Sequence, residues 1–138
     1  MRLLLFGYGF SGRVMARQMA AAGWDVVATH RDEAGRARIV ADGFEAVDIS
    51  DRAALAAALR ATQALLVTAP PGPDGCPGLN TLVPALANAR AFPDWIGYLS
   101  TTGVYGDRRG GWATEQSRLA AQSVEGARRV GAERDWLE

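Results

Sequence analysis

The apolar run Arg2-Leu3-Leu4-Leu5-Phe6 passes without a spacer into Gly7-Tyr8-Gly9-Phe10-Ser11-Gly12, and this junction constrains the fold more than any other stretch of the chain. Glycines at that spacing suit a strand that bends tightly at Gly7, lets a pyrophosphate approach the backbone at Gly9 and packs a helix closely at Gly12. The residues that follow have a helical pattern, with Val14, Met15 and Met19 facing inward and Arg13, Arg17 and Gln18 outward. Such a helix begins with free N–H groups and the positive end of its dipole facing the phosphates. The segment therefore reads as a dinucleotide-binding turn, with Gly7, Gly9, Phe10, Ser11 and Gly12 as cofactor-binding residues.

Composition narrows the partners. With 138 residues, 49% of them hydrophobic, the chain is expected to form one domain, a single NAD(P)-binding unit over residues 1–138. No stretch is apolar for long enough to span a membrane, and the short run after Met1 lacks the length and cleavage site of a secretory leader, so a cytoplasmic location is expected. The formal net charge is zero and the arginines are scattered, which argues against a nucleic-acid footprint or a membrane-surface patch and favours a small-molecule partner. Cys76 is the single cysteine, so neither a disulfide framework nor a metal-ligand spacing is present. All fifteen basic residues are arginine, and no mechanism that needs a lysine runs on this chain.

Strand and helix patterns alternate at the short spacing of a parallel sheet. After the first strand and helix, Gly23 turns the chain into the strand Asp25 to Thr29. Asp32 is placed to cap a helix from Glu33 to Ala41, which Gly43 ends before a third strand, Phe44 to Val47. Ser50 or Asp51 caps the alanine-rich helix that runs through Arg60. Leu65 to Ala69 forms the fourth strand, and a Pro/Gly-rich loop over 70–78 leads to a helix from Leu79 to Arg90. Trp95 to Ser100 is the fifth strand, and a last helix is predicted from Thr114 to the chain end, with Gly126 as its weak point. Right-handed crossovers give a doubly wound, Rossmann-type α/β fold with sheet order 3-2-1-4-5 and a ligand crevice at the carboxyl ends of strands 1 and 4, where Ala69 is a further cofactor-binding candidate.

Two segments carry a resemblance to a known family: the fingerprint Gly7-Tyr8-Gly9-Phe10-Ser11-Gly12, and Leu99-Ser100-Thr101-Thr102-Gly103-Val104-Tyr105-Gly106-Asp107 with Glu115 beyond it. Together they resemble the extended short-chain dehydrogenase/reductases, the group of NAD(P)-dependent sugar epimerases and dehydratases, over essentially the whole chain. The resemblance implies that Thr101 is the active-site Ser/Thr and that Tyr105 is a substrate-pocket or packing residue, or a substitute phenol. It also implies a Tyr-x-x-x-Lys dyad about twenty residues further on. Here Glu125 stands at the tyrosine's place and Arg129 at the lysine's, followed by Ala132-Glu133. A carboxylate beside a guanidinium is ionised and accepts only, which suits a base and not an acid that protonates an alkoxide. Arg129 has the charge to fork onto ribose hydroxyls. The alternative is a plain i, i+4 surface pair on a helix.

The cofactor preference follows from the second strand. An NAD site usually places Asp or Glu on the ribose 2′-OH about twenty residues past the fingerprint, whereas Thr29-His30-Arg31 stands here. Arg31 suits a 2′-phosphate, hence NADP, with Arg13 as a second charge or a solvent-facing residue. Asp32 keeps NAD open. His30 reads as a ribose-side or surface residue. Asp48 resembles the family's adenine-contacting acid, and also suits the turn Asp48-Ile49-Ser50-Asp51 without any ligand.

Family members run to about twice this length, with a carboxyl-terminal lobe that builds the substrate pocket. The chain is therefore expected to be either the amino-terminal half of a longer protein or a short protein that keeps the nucleotide module. Trp112, Trp136 and Leu137 are then expected on an uncovered face that favours a homodimer. Two functional classes follow: an epimerase-, dehydratase- or reductase-like protein acting on a carbonyl or nucleotide-sugar-like substrate, and a catalytically silent NADP-binding redox-sensing or regulatory module.

Overall fold

The structure, a computed structural model, describes all of residues 1–138. Five parallel strands, β1 (Arg2–Phe6), β2 (Asp25–His30), β3 (Glu45–Asp48), β4 (Ala64–Val67) and β5 (Trp95–Tyr98), form one sheet in the order β3-β2-β1-β4-β5. The connections are α1 (Phe10–Ala21), α2 (Glu33–Ala41), α3 (Arg52–Arg60) and α4 (Pro77–Ala89), with α5 (Val124–Leu137) after β5. This is the doubly wound order expected from the alternation of elements.

Side chains alternate across the pleat of β1, so its four apolar residues, Leu3 to Phe6, build two cores. Leu4 and Phe6 join Val27, Leu65 and Val67 under Leu55 and Leu59 of α3 and Leu82 of α4. Leu3 and Leu5 join Val26, Ala28 and Leu66 on the opposite face, under Ala16 of α1 and Ile39 of α2. The central strands are buried on both faces, which is why they read as continuous apolar runs.

Local signals set the helix ends. Asp32 accepts from the Gly35 N–H (2.7 Å) and Asp51 from the Ala54 N–H (2.9 Å), capping α2 and α3. Gly23 and Gly43, at φ +85° and +87°, close α1 and α2.

The strands β4 and β5 end two residues earlier than expected, at Val67 and Tyr98, and two helix starts also differ from expectation. Helix α4 starts at Pro77, inside the segment assigned to loop, because proline at the first helical position loses no hydrogen bond and Gly78 lets the helix settle on β4. A β-carbon on Gly78 would stand 2.7 Å from a Val67 methyl. The last helix does not begin at Thr114. Its preceding segment makes its hydrogen bonds elsewhere: the Ala120 N–H donates to the Val104 carbonyl (2.8 Å), and the Gln122 side-chain Oε1 accepts from the Asp107 N–H (3.4 Å). Ser123 then caps α5 through the Gly126 N–H (3.0 Å), and Gly126 lies inside the helix without breaking it. The expected uncovered face is also divided: Trp112 and Leu137 are exposed, but Trp136 stacks on Tyr98 at 6.3 Å and packs against the α3/α4 core. No helix is long and apolar enough to cross a membrane.

Candidate dinucleotide site

The carboxyl ends of β1, β2 and β4 open into a crevice of about 340 Å³, lined by Gly7, Tyr8, Gly9, Thr29, His30, Arg31, Asp32, Arg38, Thr68 and Ala69 among others. This is the position that the sheet order dictates, since the crossovers leave β1 to opposite sides.

Each fingerprint glycine has a separate reason for lacking a side chain. Gly7 adopts φ +104°, and a β-carbon there would lie 2.8 Å from the Ala69 nitrogen. Two threonines hold it: Thr29 Oγ1 accepts from the Gly7 N–H (3.2 Å), and Thr68 Oγ1 donates to the Gly7 carbonyl (2.9 Å). Gly12 meets Gly7 across the turn. Gly9 meets no protein atom within 4 Å of its would-be β-carbon, so what it leaves clear is crevice. Gly9 also precedes α1 without a side-chain cap, leaving the first-turn N–H groups of Phe10, Ser11 and Gly12 free of an intrahelical or capping partner. The Phe10 and Ser11 side chains are exposed and do not line the crevice.

The arginines around the crevice divide cleanly. Arg13 forks onto Asp42 through Nε (2.7 Å) and Nη2 (2.9 Å), Arg17 reaches the same carboxylate (2.9 Å), and Arg36 pairs with Glu33 (2.9 Å). Arg13 is therefore taken up by Asp42 and does not line the crevice. Arg31 and Arg38 make no ion pair, and both line the crevice. Arg38 was not legible beforehand, because its place on α2 aims it at the crevice only once α2 packs beside β2. Asp32 has one carboxylate oxygen on the helix it caps. The Nδ1 of His30 is buried without a protein partner.

Asp42, at the carboxyl end of α2, accepts from Arg13, Arg17 and the Tyr8 hydroxyl (2.9 Å). Those hydrogen bonds, chiefly from the two guanidinium groups, hold its carboxyl well below the usual range. Burial and the same carboxylate push the Tyr8 phenol up to about 12, so it remains a donor at neutral pH. Asp48 is held by its own turn, accepting from the Ser50 N–H (2.8 Å) and hydroxyl (2.7 Å), which lower its pKa, and it does not line the crevice.

The candidate catalytic residues lie beyond β5 and are absent from the crevice lining. Thr101 Oγ1 accepts from the Gly103 N–H (3.3 Å), capping a short 3-10 helix, Thr102–Tyr105, that ends at the half-buried Tyr105. Glu125 is exposed in the first turn of α5. Arg129 donates to the Leu99 carbonyl and lies over the Tyr98 ring, 5.8 Å from its centroid. Glu125 and Arg129 form no ion pair, contrary to the surface-pair alternative, because Arg129 turns toward β5. Burial, more than the opposing Arg129 charge, raises the pKa of Tyr98.

No protein-family model and no curated protein matches the sequence. Solved structures do match it. A conserved protein of unknown function from Silicibacter pomeroyi is 34% identical with a TM-score of 0.79, over 98% of this chain and 47% of that one. The dTDP-glucose 4,6-dehydratase of Bacillus anthracis, solved in complex with NAD, gives 19% identity and a TM-score of 0.74, over 98% of this chain and 49% of that one. The UDP-N-acetylglucosamine 4-epimerase of Bacillus cereus gives 17% and 0.71, over 97% of this chain and 52% of that one. The chain thus spans about half the length of the structures it matches, and it shares its fold with that half of epimerase, dehydratase and short-chain dehydrogenase/reductase structures.

Proposed function

We propose that this chain, with the fold of the nucleotide-binding half of NAD(P)-dependent epimerases and dehydratases, binds NADP in the crevice above β1. The observation that carries the reading is the division of labour along that crevice. At one end the uncapped start of α1 and the clear space at Gly9 suit a pyrophosphate. At the other, Arg31 and Arg38 are free of acidic partners and suit a phosphate on the adenosine ribose. When bound, the nicotinamide supplies a hydride acceptor or donor. The chain's own residues bind and orient the dinucleotide, with Gly7, Gly9, Gly12 and Ala69 shaping the space and the N–H groups of Phe10 and Ser11 facing the phosphates. Asp48 stays with its turn.

The protein's reaction, in this reading, is epimerase- or oxidoreductase-like chemistry on a carbonyl or nucleotide-sugar-like substrate, with Thr101 orienting a substrate oxygen. A second reading, a silent NADP-binding regulatory module, is favoured by one specific observation: Arg129 spends a guanidinium N–H on the Leu99 carbonyl and does not pair with Glu125. Fluorescence titration with NADPH and NADH tests the cofactor reading. NADPH is expected to bind more tightly, and equal or tighter binding of NADH would overturn that preference.

A further inference from the structure

Tyr8 is the one side chain between the two fingerprint glycines that bound the phosphate turn, and it points away from solvent. Its ring packs edge-on against Phe44 at 6.3 Å, and its hydroxyl donates to Asp42. Arg13, in the first turns of α1, forks onto the same carboxylate. Asp42 therefore holds both halves of the phosphate cradle, the glycine turn through Tyr8 and the start of α1 through Arg13, from a position outside the crevice lining. An acid at the carboxyl end of a helix is opposed by the helix dipole. Here three donors offset that opposition and gather at one point.

We infer that Asp42 and Tyr8 are positioning residues for pyrophosphate binding, a tether that pre-orders the Gly7–Gly9 turn before the dinucleotide arrives. This rests on the reading of the crevice as a dinucleotide site. The physical basis is that glycines on both sides leave the turn many accessible conformations. A ligand that meets an unordered turn must supply the ordering free energy from its own contacts. Arg13 and Arg17, being held by Asp42, add fixed geometry and no free charge to the cradle.

The test compares the unmodified chain with Tyr8→Phe, which keeps the ring against Phe44 and the Arg13–Asp42 pair while removing the tether to the turn. Affinity is measured by calorimetry for NADPH and, as a ligand with the adenosine ribose and its 2′-phosphate but no pyrophosphate, adenosine 2′-monophosphate. NADPH binding is expected to weaken roughly tenfold in Tyr8→Phe, as for loss of one charge-assisted hydrogen bond, with adenosine 2′-monophosphate binding unchanged. Amide exchange at Gly7 and Gly9 in the ligand-free chain is expected to quicken. Equal loss for both ligands would mean a general structural role and overturn the inference, as would unchanged NADPH affinity. Failure of the unmodified chain to bind either NADPH or NADH would instead remove the dinucleotide reading itself, and the inference with it.

Discussion

A β-carbon on Gly12 would stand 2.6 Å from the carbonyl oxygen of Gly7, so the first turn of α1 and the end of β1 touch backbone to backbone. The contact is what allows one turn to serve as both strand end and helix start. It also separates the roles of two glycines that look equivalent in the sequence.

Substituting Gly12 is expected to damage the fold. Gly12→Ala sets a methyl group against a carbonyl that Thr68 also holds, so the helix must move away from the strand. The expected cost is about 1–3 kcal/mol, the usual range for overpacking, read from the urea midpoint. Gly9→Val puts its side chain into open crevice and is expected to leave the midpoint near that of the unmodified chain while abolishing NADPH binding. Retained affinity in folded Gly9→Val would mean that the turn is an ordinary loop.

The two free arginines give a prediction about selectivity. Arg31→Ala is expected to weaken NADPH binding by about 1.5–3 kcal/mol, as for loss of a charge-assisted phosphate contact, and to leave NADH binding nearly unchanged. Arg38→Ala is expected to act in the same direction. Arg36→Ala removes an exposed arginine already paired with Glu33 and serves as the control, with no effect on either cofactor. Parallel losses for NADPH and NADH would argue against a phosphate-selective role.

Stability should depend on pH through Asp42. Its folded pKa lies below that of the unfolded chain, so its contribution is fully present above the unfolded carboxylate pKa, about 3.9, and is lost as pH falls toward the folded value. Asp42→Asn is therefore expected to be less stable than the unmodified chain at neutral pH, with the gap narrowing below about pH 4. Denaturant midpoints of both proteins from pH 7 down to pH 2.5 measure this. A gap constant with pH would assign the loss to packing.

The proposed reading of Glu125 and Arg129 as an altered dyad predicts weak chemistry. If Glu125 and Arg129 stand where the resembled family has tyrosine and lysine, then with Arg129 engaged with Leu99 this polypeptide is expected to show little or no steady-state turnover even with cofactor bound. A missing acid/base group alone forfeits about 10²–10⁴ in rate. Aldehydes, ketones and nucleotide sugars can be screened by nicotinamide absorbance and product isomers, with Thr101→Ala and Glu125→Gln as controls. Robust turnover that disappears in Glu125→Gln would make that carboxylate the acid/base and overturn the silent-module reading.

The sequence by itself determined the order of elements, the sheet topology and the place of the crevice. These follow from local causes: buried parallel strands must be continuous apolar runs, caps at Asp32 and Asp51 act within one helical turn, and the glycine turn is a contiguous segment. Only the tertiary structure decided how charges far apart in the chain are shared. Arg13 and Arg31 look alike as free cations along the sequence, yet Asp42 claims the first and nothing claims the second, because α2 returns its carboxyl end beside α1. The start of α5 was decided in the same way. The segment from Thr114 has helical composition, but the 3-10 helix Thr102–Tyr105 draws its backbone away through the Ala120–Val104 bond, and Arg129 turns to the end of β5 and not to Glu125. Local propensity is a property of neighbours in sequence, whereas these pairings are between groups that only the packed chain brings within hydrogen-bonding distance.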